Sequence, residues 1–368
     1  MAGMSMGSEA PLRLDRALAH RGGFVECLRA PAALFGAAAR LRGWLYDRRL
    51  LSRLMLDTPV ISVGNLSAGG TGKTPMTVWL AREAIGRGLR PGILSRGYKR
   101  GSASVNDEGQ LLATLLPDVS HVQNPDRVAG GKELERQGMD WIVLDDGFQH
   151  RRLARQLDVV LVDASRPWGL PEPPSGGSPV CALLPRGLLR EPPSSLARAD
   201  LLVLTRCDSV NPERLSALRE ELRRWAPGVG QALASHRPVG VRTLEGGQWV
   251  EREPSFLDGL EVDLVSAIGN PEAFERTARD LGAHITHVRS FPDHHAYKPA
   301  DLKGLGQRPV LVTAKDAVKL RDTQLPIHAL DVEFTLVEGE PLVQALLDSL
   351  PVPARRSERD AMHAGLHG

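Results

Sequence analysis

At 368 residues, with 42% hydrophobic and 24% charged side chains, the chain exceeds the usual size of one core and reads as a folded protein of roughly two domains. A formal net charge of +2 excludes a global field that would gather nucleic acid, so no nucleic-acid partner is expected and any anionic partner must be met by local Arg and Lys clusters. Cys27, Cys181 and Cys207 are far apart and form no C-x-x-C pair, which argues against a disulfide framework or structural zinc and for a reducing compartment.

Residues 1–23 lack a basic start, an apolar run and a cleavage site; they read as a flexible N-terminus without a secretory signal. Nowhere does an uncharged apolar run reach the roughly 18 to 20 residues needed to cross a bilayer. Residues 24–56 read as amphipathic helices. Over 32–56, Leu34, Ala38, Leu41 and Leu45 fall at helical spacing, surrounded by Arg40, Arg42, Arg48, Arg49 and Arg53 against a single Asp47. Trp44 and Tyr46 stand where amphipathic rings sit at a lipid interface. A helix on a membrane surface and a helix packed on the next domain with a solvated Arg face both satisfy this composition.

From Thr58 the texture changes, and residues 57–236 read as one α/β domain. PVISVGN predicts a strand, PMTVWLAREAIGRG a helix, and residues 91–96, 141–146, 157–163 and 201–206 further strands. Such apolar runs suit a parallel sheet buried on both faces. The Pro- and Gly-rich stretch 171–179 reads as a surface loop. Residues 237–253, centred on Gly246 and Gly247, predict a β-hairpin linking to a second, smaller α/β domain at 254–350. Residues 351–368 have little to bury and read as a loose tail.

The strongest chemical signal is Ser67-Ala68-Gly69-Gly70-Thr71-Gly72-Lys73-Thr74, between a predicted strand and a predicted helix. Small residues let backbone N–H groups turn around phosphate oxygens, Lys73 can reach the β and γ phosphates, and the Thr74 hydroxyl can bind Mg²⁺. A strict P-loop has Gly where Ser67 stands. The apolar run from Trp141 ends in Asp145 and Asp146, either of which could hold the metal from a neighbouring strand. Arg151 and Arg152 follow closely and either meet phosphate or face water. These residues predict bound nucleotide and Mg²⁺, which fits a kinase, a GTPase or an ATPase. The acceptor decides among them, and an acid that takes a hydroxyl proton turns hydrolysis into transfer. Asn106-Asp107-Glu108 and Phe291-Pro292-Asp293-His294-His295 are the candidates. Taken alone, the first also reads as a solvated loop and the second as a metal-type cluster or a polar turn.

In order, the strings PVISVGNLSAGGTGKTP, SRGY, NDEGQLL, NPDRVAGG, VLDDGFQHRRLARQLDVVLVD, LLPRGLLREP, GNPEAF, FPDHH and VTAKDAVKL resemble the tetraacyldisaccharide 4'-kinases, from about Arg40 to about Leu320. The resemblance implies a P-loop domain with N-terminal membrane-associated helices, a second α/β domain on a two-stranded link, and ATP between them. The implied reaction is ATP-dependent phosphorylation, with Mg²⁺, of the 4' hydroxyl of an acylated glucosamine disaccharide 1-phosphate. It implies peripheral attachment at the cytoplasmic face of the inner membrane, and no obligate protein partner is inferred. The family's catalytic Asp, in Gly-Asp-Glu-Pro, maps to Asp107 within Asn106-Asp107-Glu108-Gly109, where both flanking positions differ. The family's second-domain histidine maps to His294, with His295 as the fallback. Lys73 joins these as the third catalytic residue. The rival is a regulatory or metal-delivering GTPase, whose guanine-reading Asn-Lys-x-Asp is matched by neither Thr205-Arg206-Cys207-Asp208 nor Thr313-Ala314-Lys315-Asp316.

Overall fold

A computed structural model describes residues 10–97, 107–173, 176–293, 295–321 and 323–351, with backbone alone at 10–13, 107 and 108. In chain order the elements are α1 (Ala10–Ala19), α2 (Arg29–Asp47), β1 (Val60–Asn65), α3 (Lys73–Gly86), β2 (Pro91–Ser95), α4 (Asp107–Leu115), β3 (Ser120–Gln123) and α5 (Arg127–Arg136). Then come β4 (Trp141–Asp145), β5 (Leu157–Asp163), β6 (Leu201–Thr205), α6 (Pro212–Trp225), β7 (Gly230–Glu245) and β8 (Gln248–Arg252). The chain closes with β9 (Glu261–Ser266), α7 (Pro271–Asp280), β10 (His284–Ser290), β11 (Val310–Thr313), α8 (Ala314–Leu320), β12 (Ile327–Glu338) and α9 (Glu340–Asp348).

The Val-, Ile- and Leu-rich runs β1, β4, β5 and β6 are buried at every position. Strands covered by helices on both faces have no solvated side to make polar. β1 runs parallel to β4 and β5, aligning Ile61 with Val143 on one side and Leu157 on the other. On one face Met76, Leu80 and Ala84 of α3 pack against Ile61, Val143 and Leu161. Helix starts follow local chemistry. Asp126 accepts from the backbone N–H groups of Val128 and Ala129, and Asn211 and Asn270 cap α6 and α7 ahead of a proline at the first helical position.

The sequence predicts two α/β units, and the structure joins their strands into one 12-stranded sheet, ordered β10-β9-β11-β12-β7-β6-β5-β1-β4-β2-β3 with β8 beside β7. The physical reason is the length of β7. Its 16 residues span roughly 50 Å when extended. That is enough to run parallel to β6 at Leu201–Leu204 and still pair antiparallel with β12 out to Thr243. The Gly246-Gly247 turn lies between β7 and β8. The passage between the two halves is carried by β7 and β12. α9, read from sequence with the second unit, returns to the first, where Val343 and Leu347 enter the core beside Ala232 and Phe334.

The N-terminal helix α2 turns its large apolar residues outward. Leu34 is 74% exposed, Leu41 58% and Trp44 48%, while Ala32, Gly36 and Tyr46 are buried. Tyr46 therefore departs from the interfacial position expected of it. Its ring is enclosed by the guanidinium groups of Arg42, Arg53 and Arg151 at 5.2–5.9 Å. No helix among the described residues is long and apolar enough to cross a membrane.

Candidate active site

The P-loop joins the C-terminal end of β1 to α3, so its backbone N–H groups and the positive end of the helix face the same point. Gly69 (φ 142°) and Gly72 (φ 90°) adopt conformations that a side chain would strain, and Gly72 is the residue immediately before α3. Neighbours pin the loop from outside. Ala68 N–H donates to Leu188 O at 2.7 Å, Thr205 Oγ1–H donates to Thr71 O at 2.9 Å, and Asn65 Nδ2 donates to Thr71 Oγ1 at 2.9 Å.

Lys73 stands at the first position of α3, its Nζ 3.4 Å from Asn65 Oδ1 and 3.6 Å from Asp146 Oδ1. Asp145 ends β4 and is buried, whereas Asp146 turns out of the strand with a left-handed φ of 53°. A single Arg190 Nη1 donates to both Asp146 carboxylate oxygens at 2.9 Å. Burial alone would raise the Asp146 carboxyl, but Lys73, Arg190 and Arg127 together hold it below its ordinary value. The Asp146 carboxylate is thus charged and flanked by Lys73 and Arg190. Thr74, Asp145 and Asp146 supply hydroxyl and carboxylate oxygens, a hard donor set that suits Mg²⁺. Because Mg²⁺ keeps waters and phosphate oxygens among its ligands, a site of few protein carboxylates fits it.

These residues line a cleft of about 1420 Å³ whose opposite wall comes from the second half of the sheet and includes Gly269, Asn270, Thr313 and Lys315. Ser67 and Ala68 lie behind the loop, Ser67 buried and bridged to Leu189. The loop from Gly69 to Thr74 faces the cleft, together with Arg127, His150 and Arg190. Burial, reinforced by the charge of Arg127, pulls the His150 imidazole down to about 4, so it is neutral at physiological pH. Asp107 is described by its backbone alone, as the first residue of α4, which packs against both α3 and α8. His294 and Asn106 lie outside the described residues. Asp293 lies on the cleft wall with Lys315 Nζ at 3.0 Å. His295 is held away in an aromatic stack, its ring 4.7 Å from Phe291 and its Nε2 2.8 Å from Asp301 Oδ2.

Three residues not singled out from the sequence complete the site. Arg190, Asn65 and Gln149 reach it through tertiary contacts, and Gln149 Nε2 donates to Asn65 O at 2.8 Å. Only the string LLPRGLLREP marks Arg190 in the sequence. Arg151, unassigned from sequence, points to α2. It is buried and donates to Gly43 O at 3.0 Å and Asp47 Oδ1 at 2.6 Å, tying α2 to the segment that follows Asp146. His236 on β7 sits under Gly72, both ring nitrogens buried without a hydrogen-bond partner among the described residues. Burial pushes its imidazole down to about 3.

Fold and site define a P-loop nucleotide-binding protein whose phosphate site is closed over by a second α/β unit. The chain belongs to the tetraacyldisaccharide-1-P 4'-kinase family, whose model matches residues 25–351. It is 39% identical over 361 residues to the tetraacyldisaccharide 4'-kinase of Anaeromyxobacter sp. (strain K), covering 88% of this chain and 92% of that one. It is 36% identical over 365 residues to the tetraacyldisaccharide 4'-kinase of Syntrophus aciditrophicus, covering 90% and 94%. Among solved structures it is similar to LpxK from Aquifex aeolicus in complex with ATP, at 31% identity with a TM-score of 0.68, over 88% of this chain and 98% of that one.

Proposed function

We propose that the cleft binds ATP through the backbone from Gly69 to Thr74 and delivers its γ-phosphoryl group past Lys73 to a sugar hydroxyl presented from the α4 side. The chain is a kinase of the lipid A pathway, acting at the 4' hydroxyl of the tetraacyldisaccharide 1-phosphate. The observation that carries the site reading is Lys73 beside an Asp146 whose two carboxylate oxygens both accept from Arg190 Nη1. Lys73 and Arg190 neutralise charge gathering on the transferred group. Thr74 with Asp145 or Asp146 would hold Mg²⁺, which when bound would offset the charge of the phosphate oxygens. Asp107 takes the proton of the acceptor hydroxyl, assisted by His294 from the second unit, and α8 packed on α4 keeps water from competing.

The exposed apolar residues of α2 support peripheral attachment, which we assign to the cytoplasmic face of the inner membrane. A multiply acylated substrate resists leaving the bilayer, since each buried CH₂ is worth about 0.8 kcal/mol. The outward Leu34, Leu41 and Trp44 would enter the interface while Arg40, Arg48 and Arg49, all exposed, meet anionic headgroups.

Labelled ATP, Mg²⁺ and dispersed disaccharide 1-phosphate lipid should give a doubly phosphorylated lipid, with GTP a poorer donor. Absence of product from well-dispersed lipid would sink the assignment. Asp107→Ala should cut transfer by about 100-fold or more while ATP affinity stays within a few-fold, because general-base help is worth that much. Full turnover in that variant would remove Asp107 from the mechanism.

A further inference from the structure

The two units meet at a buried polar junction behind the P-loop that the transfer chemistry does not use. At its centre is Asp163, the last residue of β5, only 3% exposed. Its Oδ1 accepts from Ser165 N–H at 2.9 Å and Ser165 Oγ–H at 2.6 Å. Its Oδ2 accepts from Arg206 Nη1 and from Asn270 Nδ2, the latter at 3.1 Å across the junction. The same Arg206 Nη1 donates to Gly70 O of the P-loop at 3.0 Å, from a residue held at a left-handed φ of 53°. Asn270 is also buried, and its Nδ2 reaches Ser165 Oγ at 3.1 Å while its Oδ1 accepts from Ala273 N–H at 3.2 Å. Next to it, Gly269 lies directly on the loop. A Cβ there would collide with the backbone nitrogen of Gly70 and stand 3.0 Å from its Cα.

We propose that Asp163 and Asn270 are positioning residues for the transfer reaction: their buried hydrogen bond seats the second unit on the P-loop, so that Arg206 and Gly269 hold the Gly69-Gly70 turn in its phosphate-binding shape. The inference rests on assigning that loop to the phosphates of ATP, and it adds that the loop's affinity depends on the other unit being docked. The amide of Asn270 has no freedom to flip, because its oxygen caps α7 and its nitrogen must therefore face the carboxylate. Aspartate would cap α7 equally well but would set a second carboxylate against Asp163. Asn270→Asp thus separates the contact between units from the folding of α7.

The charged groups around this pair are Arg206, Arg166 with its partner Glu272 on α7, Asp15 on α1 near both, and His236 on β7, which burial keeps neutral. Burial works to raise the Asp163 carboxyl, while Arg206, Ser165 and Asn270 more than offset it and hold it below its ordinary value. In Asn270→Asp two carboxylates share that space, and one proton shared between them removes the repulsion. The defect is therefore smallest in acid and grows as pH rises.

The test is binding of a fluorescent non-hydrolysable ATP analogue with Mg²⁺ to the full chain from pH 5.5 to 8.5. Asn270→Asp should bind about 10- to 100-fold more weakly than wild type at pH 8, the scale of a lost hydrogen bond to a charged group, and recover toward wild type in acid. Unchanged affinity, or a loss equal at every pH, would overturn the proposal. If Asn270→Asp does not fold, as judged by its thermal melt, the exchanged pair Asp163→Asn with Asn270→Asp decides. Recovered folding and ATP affinity support the junction, and failure to recover refutes it. Lys73→Ala run alongside separates the two ideas, because wild-type affinity in that variant would refute the P-loop assignment itself.

Discussion

α2 and α3 are both helices with large apolar residues, and they resolve that feature in opposite ways. In α3 Met76, Leu80 and Ala84 enter one core while Val78 and Ala81 enter another with Leu112 of α4, so the helix is covered on two sides. In α2 the side that meets protein carries Ala32, Gly36 and Tyr46, while Leu34 and Leu41 point away. Gly36 admits the Leu183 side chain so closely that a Cβ would collide with it. Ion pairs and backbone contacts from Arg151 and Arg42 then attach the helix, with Arg42 Nη2 donating to Gln149 O at 2.6 Å. α3 is therefore stabilised by folding itself, whereas Leu34, Leu41 and Trp44 of α2 stay exposed among the described residues. Since Gln149 and Arg151 follow Asp146 closely, α2 is joined to the turn that ends β4.

That contrast can be broken at α3. Lys73→Ala, at its first position, should lower kcat/KM for lipid phosphorylation by about 1000-fold, the scale of a charge-stabilising group at a transferred phosphoryl. A loss under tenfold, measured with labelled ATP, would detach the helix terminus from catalysis. Deeper in the same helix, Leu80→Ala should destabilise the chain by about 3 kcal/mol, read as an earlier midpoint in denaturant. A change below about 1 kcal/mol would mean that this face is not the structural one. At α2 the expected effect is smallest. Leu34→Ser with Leu41→Ser should leave that midpoint nearly unmoved, yet weaken binding to vesicles containing anionic lipid by about tenfold. Reduced stability with unchanged vesicle binding would reverse the roles assigned to the two helices.

Much of the fold was legible because its determinants are local. The strands of the P-loop half are uninterrupted aliphatic runs, and the loop itself needs glycine at two strained positions and Lys-Thr at the helix start, a pattern few other structures require. β3 left little trace, since Ser120–Gln123 is short and only partly buried at every position. The direction of α2 was illegible too. Helical spacing reports that one side is apolar, not whether protein or something else covers it, and so Tyr46 was read as interfacial when three arginines enclose it.

By itself the sequence determined the α/β class, the nucleotide loop, the paired acids at the end of β4 and the family to which the chain belongs. Each rests on residues close together in the chain or on strings long enough to be distinctive. Tertiary structure alone decided that one sheet runs through both halves, that Arg190 grips Asp146, and that Asp163, Arg206 and Asn270 meet behind the loop. Those contacts join residues from 43 to 107 positions apart. No local propensity encodes such a pairing, because it exists only when strands far apart in sequence end at the same edge of the sheet.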